Sequence, residues 1–332
     1  MSDVGVLLIN TGTPDSPDEQ AIRRFLAQML SDPALVSVPR VIWKRVLRYF
    51  ILPNRPKKTV STYRKMWDEN GSIFMNASFA QRSALEAELS RRGLFGGGVQ
   101  VKLAMRYGSP SVESQVGQLR AAGCSTVVVV PLYPQYARVC AGTCFAEADR
   151  HLRALEEKGY RPVVCRVNCF FEQPAYRKAL AQSVSRLWEY RPGRKLVVSF
   201  HSTVMKDIEA GDPYREQTQA TARQLAHDLG IPDEDWIVSY QSRFDSRKWL
   251  QPFTVDVLKH MGVLGVDDVC VVCPGFVAEN IESKVETGEQ LREAFLSSAR
   301  PGSRYTYIPT LNDDPGLIAA LADAVECELR NL

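Results

Sequence analysis

The stretch STVVVVPLYPQY, Ser125 to Tyr136, decides the fold. Four consecutive valines leave no polar face. A strand there is covered on both sides, as in a parallel sheet sandwiched by helices. A second stretch, DDVCVVCPGF, Asp267 to Phe276, repeats the arrangement: Val271-Val272-Cys273-Pro274 answers Val128-Val129-Val130-Pro131. Two such runs in opposite halves point to two similar doubly wound α/β domains.

Working outward, short runs rich in Val, Ile and Leu alternate with amphipathic helical patterns. Strands are expected near 5–10, 99–104, 125–132 and 162–166, then near 195–200, 236–241, 267–273 and 304–308. Helices are expected near 16–30, 111–122, 143–158, 172–188, 214–228, 249–262, 279–296 and 315–329. Each half therefore holds four strands. The segment 31–95 lies between the first two strands and carries SDPALVSVPRVIWKRVLRYFILP. It reads equally as the wall or lid of a pocket and as an ordinary packed helical insertion.

The chain has 332 residues, enough for two domains. Its formal net charge of +3 is too mild for a nucleic-acid binder, and Arg55-Pro56-Lys57-Lys58 is its nearest approach to a basic block. No run approaches the length of a membrane-spanning helix. The start, MSDVGVLLIN, carries Asp3 where a signal peptide would carry positive charge. A cytoplasmic protein is expected, and peripheral membrane contact stays compatible with the sequence. The eight cysteines are expected as free thiols.

In open α/β sheets ligands sit beyond the carboxyl ends of the strands. The candidate segments are then Asn10-Thr11-Gly12-Thr13-Pro14, Met105-Arg106-Tyr107-Gly108, Tyr133-Pro134-Gln135-Tyr136, His201-Ser202-Thr203, Ser242-Arg243-Phe244 and Gly275-Phe276 leading to Glu279. Only four histidines exist. His151, His227 and His260 fall on expected helices and read as solvated. His201 falls at a strand mouth. In PGFVAENIESKVETGEQ, 274–290, Glu282, Glu286 and Gln290 are spaced four apart and would form a ladder on one helix face. A histidine beside a carboxylate suits a divalent first-row metal or proton transfer. HExxH, GxSxG, Walker A and a GxGxxG after the first strand are all missing. Gly96-Gly97-Gly98 precedes a strand and reads as a loop. Cys270 and Cys273, three apart on a strand, read as buried packing. Cys140/Cys144 and Cys165/Cys169 share a four-residue spacing; a cluster would need four thiolates to converge, and inert free thiols are the favoured reading.

The chain resembles the ferrochelatase family along nearly its whole length. The resemblance rests on LLINTGTPDSP, SDPALVSVPRVIWKRVLRYFILPNRPKK, YRKMW, MRYGSPS and VVVPLYPQY, then on SFHS, GDPYREQTQATA, YQSRF, WLQPFT, PGFVAENIE and YIPTLNDDP. It implies two flavodoxin-like domains, with a porphyrin cleft between them, and insertion of ferrous iron into protoporphyrin IX or coproporphyrin III. His201 and Glu282 match the family's catalytic and metal-handling pair. Glu286 and, less closely, Gln290 match its proton or metal relay. By the same resemblance Thr11, Ile51, Leu52, Phe74, Met75 and Tyr133 would contact the ring, and Arg40, Arg55 or Arg106 its propionates. Ferrous iron is then a substrate, and neither an organic cofactor nor a [2Fe–2S] cluster is expected. Four places depart from the family pattern: Ser202-Thr203-Val204, Gly71-Ser72-Ile73-Phe74-Met75-Asn76, Ala137-Arg138-Val139-Cys140, and Ser283-Lys284. They motivate two rival readings, a relative that holds porphyrin or haem without metallating it, and a chelatase for another tetrapyrrole or metal. The expected division is 1–170 with the insertion at 31–95, then 171–314, with a helix at 315–332 packing back on the first domain, in a monomer or homodimer.

Overall fold

A computed structural model describes residues 4–36, 38–93, 98–243 and 245–332. Gly96 and Gly97 of the expected glycine loop, and Phe244 of one candidate segment, lie outside them.

The first compact unit comprises 1–132, 138–168 and 321–332. Its sheet contains β1 (Val4–Asn10), β2 (Val99–Met105), β3 (Thr126–Pro131) and β4 (Val163–Arg166), in the order β2-β1-β3-β4. All pairings are parallel. Every residue of β1 is buried, as expected for a strand covered on both faces. The helix Glu19–Met29 starts where the Asp18 carboxylate accepts from the amides of Gln20 and Ala21. Its apolar stripe, Ile22, Phe25 and Leu26, carries most of the insertion: Leu47 is buried there, with Trp43, Ile51, Leu52, Val60 and Tyr63 packed against the cluster.

The insertion, read from sequence as one segment, resolves into the helices Arg40–Val46, Arg55–Arg64 and Ile73–Arg92, a wide π-type turn at Leu47–Ile51, and a short antiparallel pair of Trp67–Asp68 and Gly71–Ser72. Its inner face is ordinary core. Its outer face exposes Val41, Ile42, Tyr49 and Phe50.

The second unit comprises 133–137 and 169–320. Its strands are β5 (Lys195–His201), β6 (Trp236–Gln241), β7 (Asp268–Val272) and β8 (Arg304–Ile308), ordered β8-β7-β5-β6 and all parallel. Counting strands from the start of each unit, both sheets read 2-1-3-4. That is the flavodoxin-type order, whose switch point lies between the first and third strands. In the second unit this is the gap between the carboxyl ends of β5 and β7.

Three expectations change. The helix placed at 249–262 starts at Thr254, because Pro252 bars the helical conformation from the residue before it. The helix placed at 279–296 is a π-type helix over Ile281–Leu291, continued by an α-helix over Arg292–Leu296. His151, read as solvated, is buried, with its Nε2 3.1 Å from the Glu147 carboxylate one turn back.

Candidate active site

His201 is the last residue of β5 and pairs with Gln241, the last of β6. Its ring Nδ1 lies 2.7 Å from the Ser202 carbonyl. A carbonyl only accepts, so Nδ1 carries a proton, and in the neutral ring Nε2 presents its lone pair. The His201 carbonyl accepts from the Tyr214 hydroxyl at 3.0 Å, which fixes the backbone. The residues that follow, Ser202-Thr203-Val204, are tied to the 248–250 segment. The Ser202 hydroxyl donates to the Leu250 carbonyl at 2.9 Å, and the Leu250 amide donates to the Thr203 carbonyl at 2.8 Å.

After β7 the chain turns through Pro274-Gly275 to Glu279. This carboxylate is buried and accepts from Tyr307 at 2.8 Å, from the Thr310 amide at 2.8 Å and from Ser283 at 3.1 Å. The π-type helix then begins at a reciprocal cap. The Asn280 side chain accepts from the Ser283 amide and the Ser283 hydroxyl accepts from the Asn280 amide, both at 2.9 Å. Ser283, one of the departures from the family pattern, is therefore half of a cap.

The i→i+5 pairing of this helix widens each turn. Residues four apart still share a face, so Glu282 and Glu286 remain neighbours, both half-buried, while Gln290 reaches the exposed end. Ser242 holds Glu286 through two groups. The Ser242 amide donates to one carboxylate oxygen at 3.0 Å, and the Ser242 hydroxyl makes a short bond to the other. Ser242 adopts φ +69°, the left-handed region that a non-glycine residue occupies only when its surroundings impose it. Burial pushes the Glu286 carboxyl above the usual carboxylate range. The Glu282 charge raises it further, whereas the Ser242 bonds and His201 hold it down. His201, Glu282 and Glu286 thus form one electrostatic group at the switch point of the second sheet.

The first unit's switch point is different. Asn10 closes β1, is buried, donates to Ser78 at 3.2 Å and accepts from the Thr11 amide at 2.9 Å. Gly12 has φ +102°, and a Cβ there would stand 1.8 Å from the Tyr107 carbonyl oxygen. Only glycine fits. Arg106, expected at a propionate, makes a short ion pair with Asp32 and lies 4.6 Å over the Tyr107 ring. The Tyr107 hydroxyl also donates to Asp32, at 2.8 Å. Phe74 is buried; Thr11, Ile51, Leu52, Met75 and Tyr133 are half-buried; Arg40 and Arg55 are exposed.

Several contributors were absent from the sequence reading: Gln241, Tyr214, Tyr307 and the hydroxyl of Thr287. Gln241 and Tyr307 lie at strand ends, the signal that also picked out Ser242, whereas Tyr214 opens a helix and Thr287 lies within the π-type helix, where no such signal reaches. All eight cysteines are free. Burial pushes Cys273 up to about 12. Among the described residues, no three or more His, Cys, Asp or Glu side chains gather as metal ligands.

Two flavodoxin-type parallel sheets, one with a histidine and two acids at its switch point, define a chelatase-type protein. Comparison with known proteins agrees. The profile described as Ferrochelatase matches residues 3–329. A ferrochelatase of Bordetella pertussis is 41% identical over 98% of this chain and 88% of its own length. One from Chromobacterium violaceum is 40% identical, with the same two coverages, and one from Aeromonas hydrophila is 38% identical over 98% of each chain. Among solved structures, SirB from Bacillus subtilis with Fe3+ superposes at a TM-score of 0.53 with 12% identity, covering 99% of this chain and 96% of that one. This last likeness is one of fold. The chain belongs to the ferrochelatase family, enzymes that insert ferrous iron into a porphyrin in haem biosynthesis.

Proposed function

We propose that His201, Glu282 and Glu286 carry out the insertion, with ferrous iron and a porphyrin as substrates. The observation that carries this reading is the coupling at the second switch point. A half-buried histidine has its Nδ1 committed to a carbonyl, and Glu286 feels the charges of both His201 and Glu282.

Metallation requires loss of two pyrrole protons and delivery of a partly dehydrated metal. The Nε2 lone pair of His201 accepts the two pyrrole protons in turn, passing each on before it takes the next. Glu286, whose proton affinity burial has raised, receives each from it, because a base works best when its pKa approaches the working pH. Glu282, on the first turn of the wide helix, supplies a carboxylate oxygen for the incoming iron. Gln290, at the exposed end of the same face, lies where a relay would meet solvent. Thr11, Ile51, Leu52, Phe74, Met75 and Tyr133 are assigned to ring contacts. Arg40 and Arg55, exposed and basic, are assigned to propionates ahead of Arg106, which Asp32 already engages.

The enzyme is placed in the cytoplasm. No helix among the described residues is long and apolar enough to cross a membrane. Peripheral contact with anionic lipid is supported by the exposed Val41, Ile42, Tyr49 and Phe50 beside Arg40, Lys44, Arg45 and Arg48. Sedimentation with anionic vesicles at low and high salt tests it; binding that ignores both salt and a Phe50→Asp change rules it out.

The test of the main reading is an anaerobic absorbance assay of the purified chain with ferrous iron, using protoporphyrin IX and coproporphyrin III in parallel. Conversion to the metalloporphyrin over many turnovers is expected, and the faster substrate is the assigned one. A stoichiometric spectral change without turnover, with zinc as well as iron, would overturn catalysis in favour of a porphyrin-holding relative.

A further inference from the structure

Gln241 is the register partner of His201, yet its side chain turns inward and is only 3% exposed. Its Oε1 accepts from Ser199 at 2.6 Å and lies 3.0 Å from the Thr287 hydroxyl. Its Nε2 donates to the main-chain carbonyl of Glu282 at 2.9 Å. The Thr287 hydroxyl lies 2.9 Å from that same carbonyl and 3.2 Å from the Cys273 thiol. A hydroxyl has a single proton, so Thr287 donates to one of Gln241, the Glu282 carbonyl or the Cys273 sulfur. In every arrangement the Glu282 carbonyl keeps its bond from Gln241.

The knot continues outward. Ser199 lies 2.8 Å from the Thr254 hydroxyl, which donates to Ser239 at 2.9 Å. The Tyr305 hydroxyl donates to the Thr287 carbonyl at 2.7 Å. Ser199, Ser239, Thr254 and Thr287 are fully buried. Every one of these uncharged groups has a partner, and such a network admits few arrangements. It joins the strand end that bears His201 to the helical turn that bears Glu282.

We propose that Gln241 and Thr287 are positioning residues. They clamp the Glu282 carbonyl and so set where the Glu282 carboxylate stands relative to His201, without touching either substrate. The proposal rests on the assignment of Glu282 above.

Thr287→Val keeps shape and removes the hydroxyl; Thr287→Ser restores the hydroxyl. Gln241→Met keeps length and removes the donor, while Ser199 and Thr287 retain Thr254 and the Glu282 carbonyl as partners. Each variant is assayed as full-length protein with ferrous iron and the faster porphyrin. A fall in kcat of about tenfold is expected for Thr287→Val, short of the hundredfold that misplacement by about 1 Å can cost. The porphyrin KM should stay within about twofold, since only interactions specific to the transition state change kcat alone. Thr287→Ser should recover the parent rate and Gln241→Met should repeat the loss. Thr287→Val at the parent rate, or Thr287→Ser as slow as Thr287→Val, overturns the clamp. If Thr287→Val does not fold, Gln241→Met decides: a parent rate overturns the proposal. Glu282→Gln, run alongside, separates the two levels. Full activity there overturns the Glu282 assignment itself, while its loss together with an unaffected Thr287→Val overturns the clamp alone.

Discussion

The two sheets share one strand order, 2-1-3-4, but load their switch points with different chemistry. The second carries a histidine and two acids, His201, Glu282 and Glu286. The first carries Asn10, Thr11 and Gly12, with no ionisable side chain. Topology puts a crevice beyond the strand ends of any such sheet. What happens there depends on which residues terminate the strands. In the second unit a histidine ends the first strand and two acids follow on the helix after the third; in the first the strand-end residues lock the backbone of β1 against the 105–108 segment.

The largest expected effect breaks the second switch point. His201→Ala should lower iron insertion by about a hundredfold or more, the scale of a lost general acid–base group, with an unchanged circular dichroism spectrum. Near-normal turnover would remove His201 from the mechanism. Glu282→Gln should also slow insertion strongly, by roughly a hundredfold, while porphyrin titration by absorbance shows retained binding. Loss of both together would mark Glu282 as structural.

The comparison sharpens on the other side. Gly12→Ala drives a methyl into the Tyr107 carbonyl and should destabilise the fold by about 3 kcal/mol or more, read as a denaturation midpoint. Asn10→Ala leaves the Ser78 hydroxyl and the Thr11 amide short of a partner and should cost about 1–3 kcal/mol. If instead either variant folds normally and loses turnover, the first switch point is chemical and the contrast fails.

The smallest effect is a dependence on pH. The Glu286 carboxyl is raised in the folded state, chiefly by burial, so the fold binds its proton more tightly than the unfolded chain does. Its contribution to stability is therefore present below the ordinary carboxylate pKa and is lost as pH rises through the folded value. Glu286→Gln, which never ionises, should melt higher than the parent at neutral pH, and the difference should shrink as the pH falls through the acid range. A difference that grows on acidification would show that the carboxylate is stabilised as an anion.

The strands were legible because β1, β3, β5 and β7 are apolar on both faces and end at polar or proline signals. The position of His201 followed from the same reading. The widened helix was not legible. Two of its carbonyls accept from donors elsewhere in the chain, Gln241 and Tyr305, and no local pattern in IESKVETGEQL announces them. Burial of His151 was missed for a different reason: its partner Glu147 was in view one turn back on the same helix, and the pairing lets the ring go inside. Arg106 looked free for a ligand because Asp32, its partner, is 74 residues away in sequence.

Ser242 faces two demands at once, and they narrow what substitution can reach. The φ of +69° favours glycine or asparagine, while the short bond to Glu286 needs a side-chain donor. Glycine meets the first demand only. Threonine meets the second, but its branched Cβ resists the left-handed region. Among neutral drifts of this sequence, position 242 is therefore narrow, closed to glycine and threonine and open chiefly to asparagine, which has both the backbone tolerance and a donor, although it touches no substrate in the proposed reaction.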